Sequence, residues 1–409
     1  MRTYRVIIVS LFSFLFLIQC ANNSHDQIPP RVLFNDPVAL LETQKRAIAG
    51  DVKLTPALDK LRVEAEAAML IDKIYSVMDK PFIPPSGDKH DYMSVGPYWW
   101  PDTTKADGLP YIRRDGQVNP ERTLYDRVPL WRLDADVTVL AIAYFFFNEE
   151  KYAKRASKLV RAWFLDKETK MNPHLNYGQA IPGITDGRGI GIIDTRSFFK
   201  IVEAIELLAD SKSWRNEDEI GLKNWFNLYV KWLMESENGI DEEDGLNNHG
   251  TWYDVILASL AMYTDQDEIA KKVITAFAEH RIKPQIKPDG SQPLELSRTR
   301  SYHYSTMNLK GMFYIAMLGE KLGVRVLSNE TEHGQLVKQA LDYLIPHMSG
   351  KEDWPYEQIK GWEADDSEAL AMIIQLSAKY FDEPEYLTLL DSIPEIEFSD
   401  HRLNLLFPI

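Results

Sequence analysis

Two short polar clusters hold the residue types from which chemistry could be built. The first is Asn247-Asn248-His249, followed by Trp252, Val255, Ile256, Leu260 and Tyr263 at helical spacing. The three polar residues therefore fall on the N-terminal lip of a helix. Unpaired N–H groups and a partial positive charge gather at such a lip and favour a bound carboxylate. The second cluster runs from Glu295 to Tyr304 and holds Arg298, Arg300, Tyr302 and His303, just before another helical run of Leu309, Met312, Phe313, Ala316 and Met317. Taken alone, Asn247 or Asn248 reads as a helix cap and His249 as a surface histidine. Two clusters at helix mouths change that reading, because they can face one cavity.

Three chemistries are open to such a set. His249 and His303 are available for a metal, and Asp241 to Asp244 form an acidic run, but there is no HExxH and no Cys/His ligand spacing. An acidic run this dense ordinarily forms a solvated loop, so no metal is expected. Glycoside hydrolysis needs a carboxylate pair. Glu242, Asp244, Asp254 and Glu295 supply candidates, and their spacing singles out no pair. Hydrolysis stays open on that count. The third chemistry, β-elimination from a uronate, needs a neutraliser for the C6 carboxylate, a base for the C5 proton and an acid for the departing O4. Asn248 and Arg298 suit the first role through amide and bidentate guanidinium donation, with Arg300 as the fallback. His249 and Tyr304 suit the other two, and no metal or cofactor is required. A tyrosine ionising ordinarily near pH 10 needs cationic neighbours to act as a base, which Arg298 or Arg300 could supply. Tyr302 and His303 read as core residues first, with substrate contact as their functional alternative.

The elements that must position these residues are helices. The hydrophobic spacing predicts them over 37–49, 56–78, 134–147, 152–164, 194–208, 216–235, 252–263, 267–280, 307–322, 334–348, 367–380 and 384–390. The second would have Thr55 as N-cap and Pro56 at its first position. Minor strands fit around 282–296 and 395–409. Paired helices joined by alternately short and long loops predict an all-α fold, an incomplete α/α toroid whose long loops line a central cleft. Between 80 and 119 no helical period is visible. That stretch is rich in proline and holds Tyr98-Trp99-Trp100, aromatic faces suited to stacking on sugars or to plugging the end of the bundle. A second irregular stretch holds Asn176, Tyr177, Gln179 and Arg188. Its glycines form no phosphate loop, which excludes nucleotide binding.

Arg2 to Arg5 and the apolar run from Ile7 to Ile18 form an export signal too short to span a bilayer comfortably. The end of that signal, Leu17-Ile18-Gln19-Cys20, resembles a bacterial lipobox, and Cys20 is the one cysteine in the chain. The expected organisation is a signal over 1–19, a tether over 20–36 and a single toroid domain over 37–409. The expected location is periplasmic or outer-membrane-anchored in a Gram-negative cell, as a lipid-anchored monomer. A net charge of −15 argues against nucleic acid as a partner. It also repels an anionic polysaccharide at long range, so such a ligand needs local cations such as Arg188, Arg298 and Arg300.

With these residues assembled, the chain resembles the alginate lyase superfamily. Asn247-Asn248-His249, Arg298 with His303-Tyr304, Gly96 to Asp102 and Asn176 to Gln179 carry the resemblance, which is nearest to polysaccharide lyase family 38. It implies an α/α toroid that depolymerises alginate, or a related glucuronan, without a metal. It further implies His249, Tyr304, Asn248 and Arg298 as catalytic residues. Substrate contacts would come from Tyr98, Trp99, Trp100, Asn176, Tyr177, Gln179, Arg188, Arg300 and His303. The rival from another class is a lipoprotein that binds glycans without cutting them.

Overall fold

The computed structural model describes residues 29–348, 353–361 and 363–408. The export segment and Cys20 lie outside these residues. The helices, in order, are α1 (Pro37–Ile48), α2 (Thr55–Leu70), α3 (Arg127–Phe147), α4 (Glu150–Phe164), α5 (Phe198–Leu207), α6 (Asn216–Glu235), α7 (Glu237–Glu243), α8 (Asn248–Tyr263) and α9 (Asp267–Phe277). Two short turns follow, α10 (Lys283–Gln285) and α11 (Pro293–Leu296), then α12 (Ser301–Lys321), α13 (Glu332–Leu344), α14 (Ala364–Tyr380) and α15 (Leu403–Leu406).

Composition decides which helices face inward. α3, α8 and α12 bury side chains on nearly every side, whereas α4, α9 and α13 bury one stripe and turn charged residues outward. A helix that is apolar all round must be enclosed by others. Accordingly α3 packs on α5, α5 on α8, α8 on α12 and α12 on α14, while α4, α9 and α13 back α3, α8 and α12 from outside. This is the α/α toroid that the helical pairing predicts. α8 and α12 approach closely because position 311 is glycine: a Cβ there would lie 2.7 Å from Thr251 Cγ2.

Several boundaries differ from expectation for identifiable reasons. No strand occurs in 282–296 or among the described residues of 395–409. The first stretch is helical turn and the second holds a 3-10 turn and α15. Strands occur instead in the irregular stretches, as β1 (Met93–Val95), β2 (Trp99–Trp100), β3 (Ile112–Arg113) and β4 (Tyr177–Ala180). β1 pairs in parallel with β4, and β2 pairs antiparallel with β3. Thr55 is the first helical residue rather than the cap, and Leu54 occupies the cap position without a side-chain bond. The acidic run is not a solvated loop: residues 237–243 form α7, with Glu242 buried. Leu33 to Asn35 are fastened to Glu203 of α5 by three backbone N–H groups and the Asn35 amide, so the packed body begins before Pro37.

Candidate active site

α8 and α12 pack side by side, the start of α8 tied by Gln285 to a point two turns into α12. Its Nε2 donates to the Asn247 carbonyl at 3.2 Å, and its Oε1 accepts from Thr251 Oγ1 at 3.1 Å and Asn308 Nδ2 at 2.8 Å. The Asn247 side chain caps α8 by accepting from the His249 N–H at 3.1 Å. Asn248 is fully buried. Its backbone N–H and Nδ2 donate to the two oxygens of Glu295 at 2.7 and 2.8 Å, and its Oδ1 has no partner among the described residues. His249 shares a hydrogen bond of 2.7 Å between Nδ1 and Glu242 Oε1. Burial raises the Glu242 carboxyl, and the charge of His249 works against that rise.

At the neighbouring mouth, the Tyr304 hydroxyl lies 2.6 Å from that of Tyr98, and the Arg298 guanidinium stacks 4.0 Å from the Tyr304 ring centroid. Arg298 Nε and Nη2 grip Asp115 at 3.2 and 3.0 Å. Burial would raise Asp115, yet its bonds to Arg298 and then Arg113 draw it down to about 2. Burial raises the Tyr304 phenol well above its ordinary value, the Tyr98 neighbour adds to this, and Arg298 opposes both. Glu295 lies within electrostatic range of both His249 and Arg298. Glu295, which clasps Asn248, thus links the start of α8 to the neighbourhood of Arg298.

The two arginine candidates separate cleanly. Arg300 is buried and pairs with Glu363 at 2.7 Å. His303 is bonded through Nδ1 to Asp366, and its ring meets Tyr304 edge-on at 5.3 Å. Tyr302 is a core residue that donates to the Leu344 carbonyl and packs against Trp354.

The aromatic loop presents Tyr98 because its backbone is pinned on both sides. Asn119 N–H donates to Pro97 O at 2.7 Å, Arg114 N–H to Tyr98 O at 2.7 Å, and Asn119 Nδ2 to Trp99 O at 2.9 Å. Trp99 and Trp100 are half-buried in the β2–β3 ribbon, with the guanidinium of Arg188 near the first and of Arg114 near the second. Arg188 donates to the carbonyl and side-chain oxygens of Gln179 at 3.0 and 3.2 Å. Gln179 itself is buried, takes a positive φ of 47°, and donates to Asp194. Asn176 is exposed and accepts from Trp232, and Tyr177 stands half-buried beside His174. Among the described residues no three His, Cys, Asp or Glu side chains converge as a metal would require.

Residues 76–354, which include Tyr98, His249, Arg298 and Tyr304, match the family model for alginate lyase. The chain belongs to the alginate lyase family. Its structure superposes on that of an alginate lyase from Bacteroides ovatus with a TM-score of 0.87 and 39% identity, covering 93% of this chain and 100% of the other. Alginate lyase A1-III from Sphingomonas species A1 shares the fold at 16% identity and a TM-score of 0.56, over 86% of this chain and 90% of that one. A variant of A1-III complexed with a tetrasaccharide matches with the same coverage and TM-score at 15% identity. No curated protein matches in sequence.

Sequence reasoning passed over the groups that hold this family site in place. Asp194, fully buried, accepts from Tyr92, Ser94 and Gln179 and pairs with Arg127 at 3.2 Å, tying β1 and β4 to α3. Arg122, stacked 5.0 Å from Trp131, lies within electrostatic range of Tyr98. Arg281 grips Asp254 of α8 and the carbonyls of Glu243 and Gly245, fixing the bend between α7 and α8. Breaking one partner of a buried pair leaves an uncompensated charge. Arg281→Met is therefore expected to lower the unfolding free energy by about 3 kcal/mol, read from urea denaturation. A change below about 0.5 kcal/mol would mean that this bend does not depend on the pair.

Proposed function

We propose that this lyase cleaves alginate by metal-independent β-elimination at the mouth shared by α8 and α12. The observation that carries the reading is the Tyr304 hydroxyl bonded to Tyr98, with the Arg298 guanidinium over the Tyr304 ring, together with the His249 imidazole backed by Glu242 at the start of α8. Arg298 binds Asp115 through Nε and Nη2 alone, which leaves Nη1 to meet the substrate C6 carboxylate. Donation there stabilises the charge that appears when C5 loses its proton. Asn248 is covered and committed to Glu295. We assign it to holding the first turn of α8, and hence His249, in place.

In mannuronate the C5 proton and O4 lie on the same side. Tyr304 as phenolate takes the C5 proton, the C–H electrons form the C4–C5 double bond, and the C4–O4 bond breaks with the proton passing to O4. In guluronate they lie on opposite sides, so His249 Nε2 takes the C5 proton and the Tyr304 phenol protonates O4. A carboxylate accepting from Nδ1–H fixes the tautomer that this requires, and Glu242 stands there. His249→Ala is accordingly expected to reduce kcat/KM on polyguluronate about 100-fold or more, and on polymannuronate much less. Equal losses on both polymers would end this division of labour.

The export-signal pattern and the lipobox-like segment ending at Cys20 support lipid anchoring in the periplasm or at the outer membrane. The substrate is tested with a panel of polymannuronate, polyguluronate and glucuronan, following the ultraviolet absorbance of the new double bond. The expected result is growth on alginate blocks. Growth on glucuronan alone would move the assignment to that polymer, and new reducing ends without absorbance would mean hydrolysis.

A further inference from the structure

The inner helices share one direction. Arg127 at the start of α3 pairs with Asp194 just ahead of α5, and Phe199 near the start of α5 stacks on Trp252 near the start of α8. α8 and α12 are tied through Gln285, and His303 in the first turn of α12 bonds Asp366 in the first turn of α14. All five helices therefore run from the mouth toward the opposite end, which lies roughly 30 Å away along the 21 residues of α12.

The N-terminal segment is fastened to that far end. Arg31 meets Asp265, just past α8, at 3.6 Å. The Glu203 carboxylate in the second half of α5 accepts from the N–H groups of Leu33 to Asn35, and the Asn35 carbonyl accepts from Lys321, the last residue of α12, at 2.8 Å. α1 then crosses the same end, where Gln44 donates to the Phe145 carbonyl near the close of α3.

Two observations bear on what this end faces. The first is reach. Eleven residues separate Arg31 from Cys20, and even fully extended they span at most about 40 Å. An acylated Cys20 therefore keeps the far end near the bilayer, with the mouth a helix length beyond it. The second is surface chemistry. The outer stripe of α1 and the turn after it expose Val38, Ile48 and Val52 at 67, 73 and 81%, among Lys45, Lys53 and one acid, Glu42. Beside α1 lies a cavity of about 560 Å³ walled by Phe34, Met317, Leu387 and Phe407, with Lys321 and Lys379 in its lining. Lys379 pairs there with Glu320 at 2.9 Å. Apolar side chains interspersed with cations suit the boundary between headgroups and acyl chains. A chain of net charge −15 approaches an anionic surface favourably only where its cations are local.

Resting on the lipid-anchor reading above, we infer that the far end of the toroid, crossed by α1, is a docking face for the bilayer that holds Cys20. The mouth then points away from the lipid. An anionic polymer reaches Tyr304 and His249 from the aqueous side, beyond the Debye length of the charged headgroups.

The test uses the acylated full-length protein on vesicles of phosphatidylethanolamine and phosphatidylglycerol that carry a spin-labelled headgroup. Acylation consumes the Cys20 thiol, so Val52→Cys and Leu246→Cys each offer one thiol for a fluorophore, the first just past α1 and the second just ahead of α8. Quenching should be several-fold stronger at position 52 than at 246. Adding Lys45→Glu and Ile48→Glu, both at exposed positions, should weaken the quenching at 52 several-fold while vesicle attachment and lyase activity hold. Equal quenching at the two positions, stronger quenching at 246, or unchanged quenching at 52 in the charge-altered protein overturns the docking face. If the unmodified protein does not sediment with vesicles, or Cys20→Ser sediments equally well, the lipid-anchor reading falls and the docking face with it. If attachment requires Cys20 while the two positions quench alike, the docking face alone falls.

Discussion

Tyr304→Phe is expected to lower kcat/KM by about 10³ to 10⁴-fold on polymannuronate and polyguluronate alike, because one hydroxyl serves both stereochemical routes. On mannuronate it removes base and acid together, and on guluronate it removes the acid. The fold should survive, since among the described residues the hydroxyl makes one hydrogen bond, to Tyr98, worth about 1 kcal/mol. Absorbance kinetics read the first effect and thermal unfolding the second. A variant that keeps a tenth of the activity on either polymer would remove Tyr304 from the chemistry.

Arg298→Ala is expected to lower kcat/KM about 100-fold on both polymers, and it carries a pH signature. Burial holds the Tyr304 phenol well above its ordinary value, and Arg298 is the group that pulls it down. In the unmodified protein the phenolate fraction, and hence kcat/KM on polymannuronate, should therefore climb with pH on the alkaline side. Without Arg298 the phenol ionises at still higher pH, so the rising limb shifts upward and the deficit at any given pH below it grows. Arg298→Lys should recover only part of the loss, because an ammonium cannot grip Asp115 with two bonds while reaching a substrate carboxylate with a third. A profile for Arg298→Ala parallel to that of the unmodified protein would show that the guanidinium does not tune the phenol.

The inner helices were legible because each is apolar around most of its circumference, and the two helix mouths were legible because a polar cluster interrupts that pattern directly before it begins. The first turn of α8 starts at Asn248 and caps on Asn247, close to where the spacing put it. The strands were not legible, since they are two to four residues long and β1 finds β4 more than eighty positions away. A minor strand was expected around 282–296, but Ile282 and Ile286 stand four apart, at helical rather than alternating spacing, and the helix continues through a π-turn.

The larger omission was electrostatic. Five polar candidates at the two mouths have a carboxylate behind them: Glu242 on His249, Glu295 on Asn248, Asp366 on His303, Asp115 on Arg298 and Glu363 on Arg300. Their separations along the chain are 7, 47, 63, 183 and 63 residues, so no local pattern announces them. Glu242 was hidden further by its acidic neighbours, which made a buried orienting group resemble a solvated run. Five of the chain's 61 acidic residues thus orient cations, imidazoles and an amide at the two mouths.

The most direct test is a crystal structure of Tyr304→Phe with a bound saturated oligouronate. One sugar carboxylate should lie within hydrogen-bond distance of Arg298 Nη1, with its C5 and O4 facing the ring at position 304 and His249 Nε2 on the opposite face of that sugar. A chain bound away from the mouth of α8 and α12, or a sugar with His249 and ring 304 both out of reach of C5, would contradict the account.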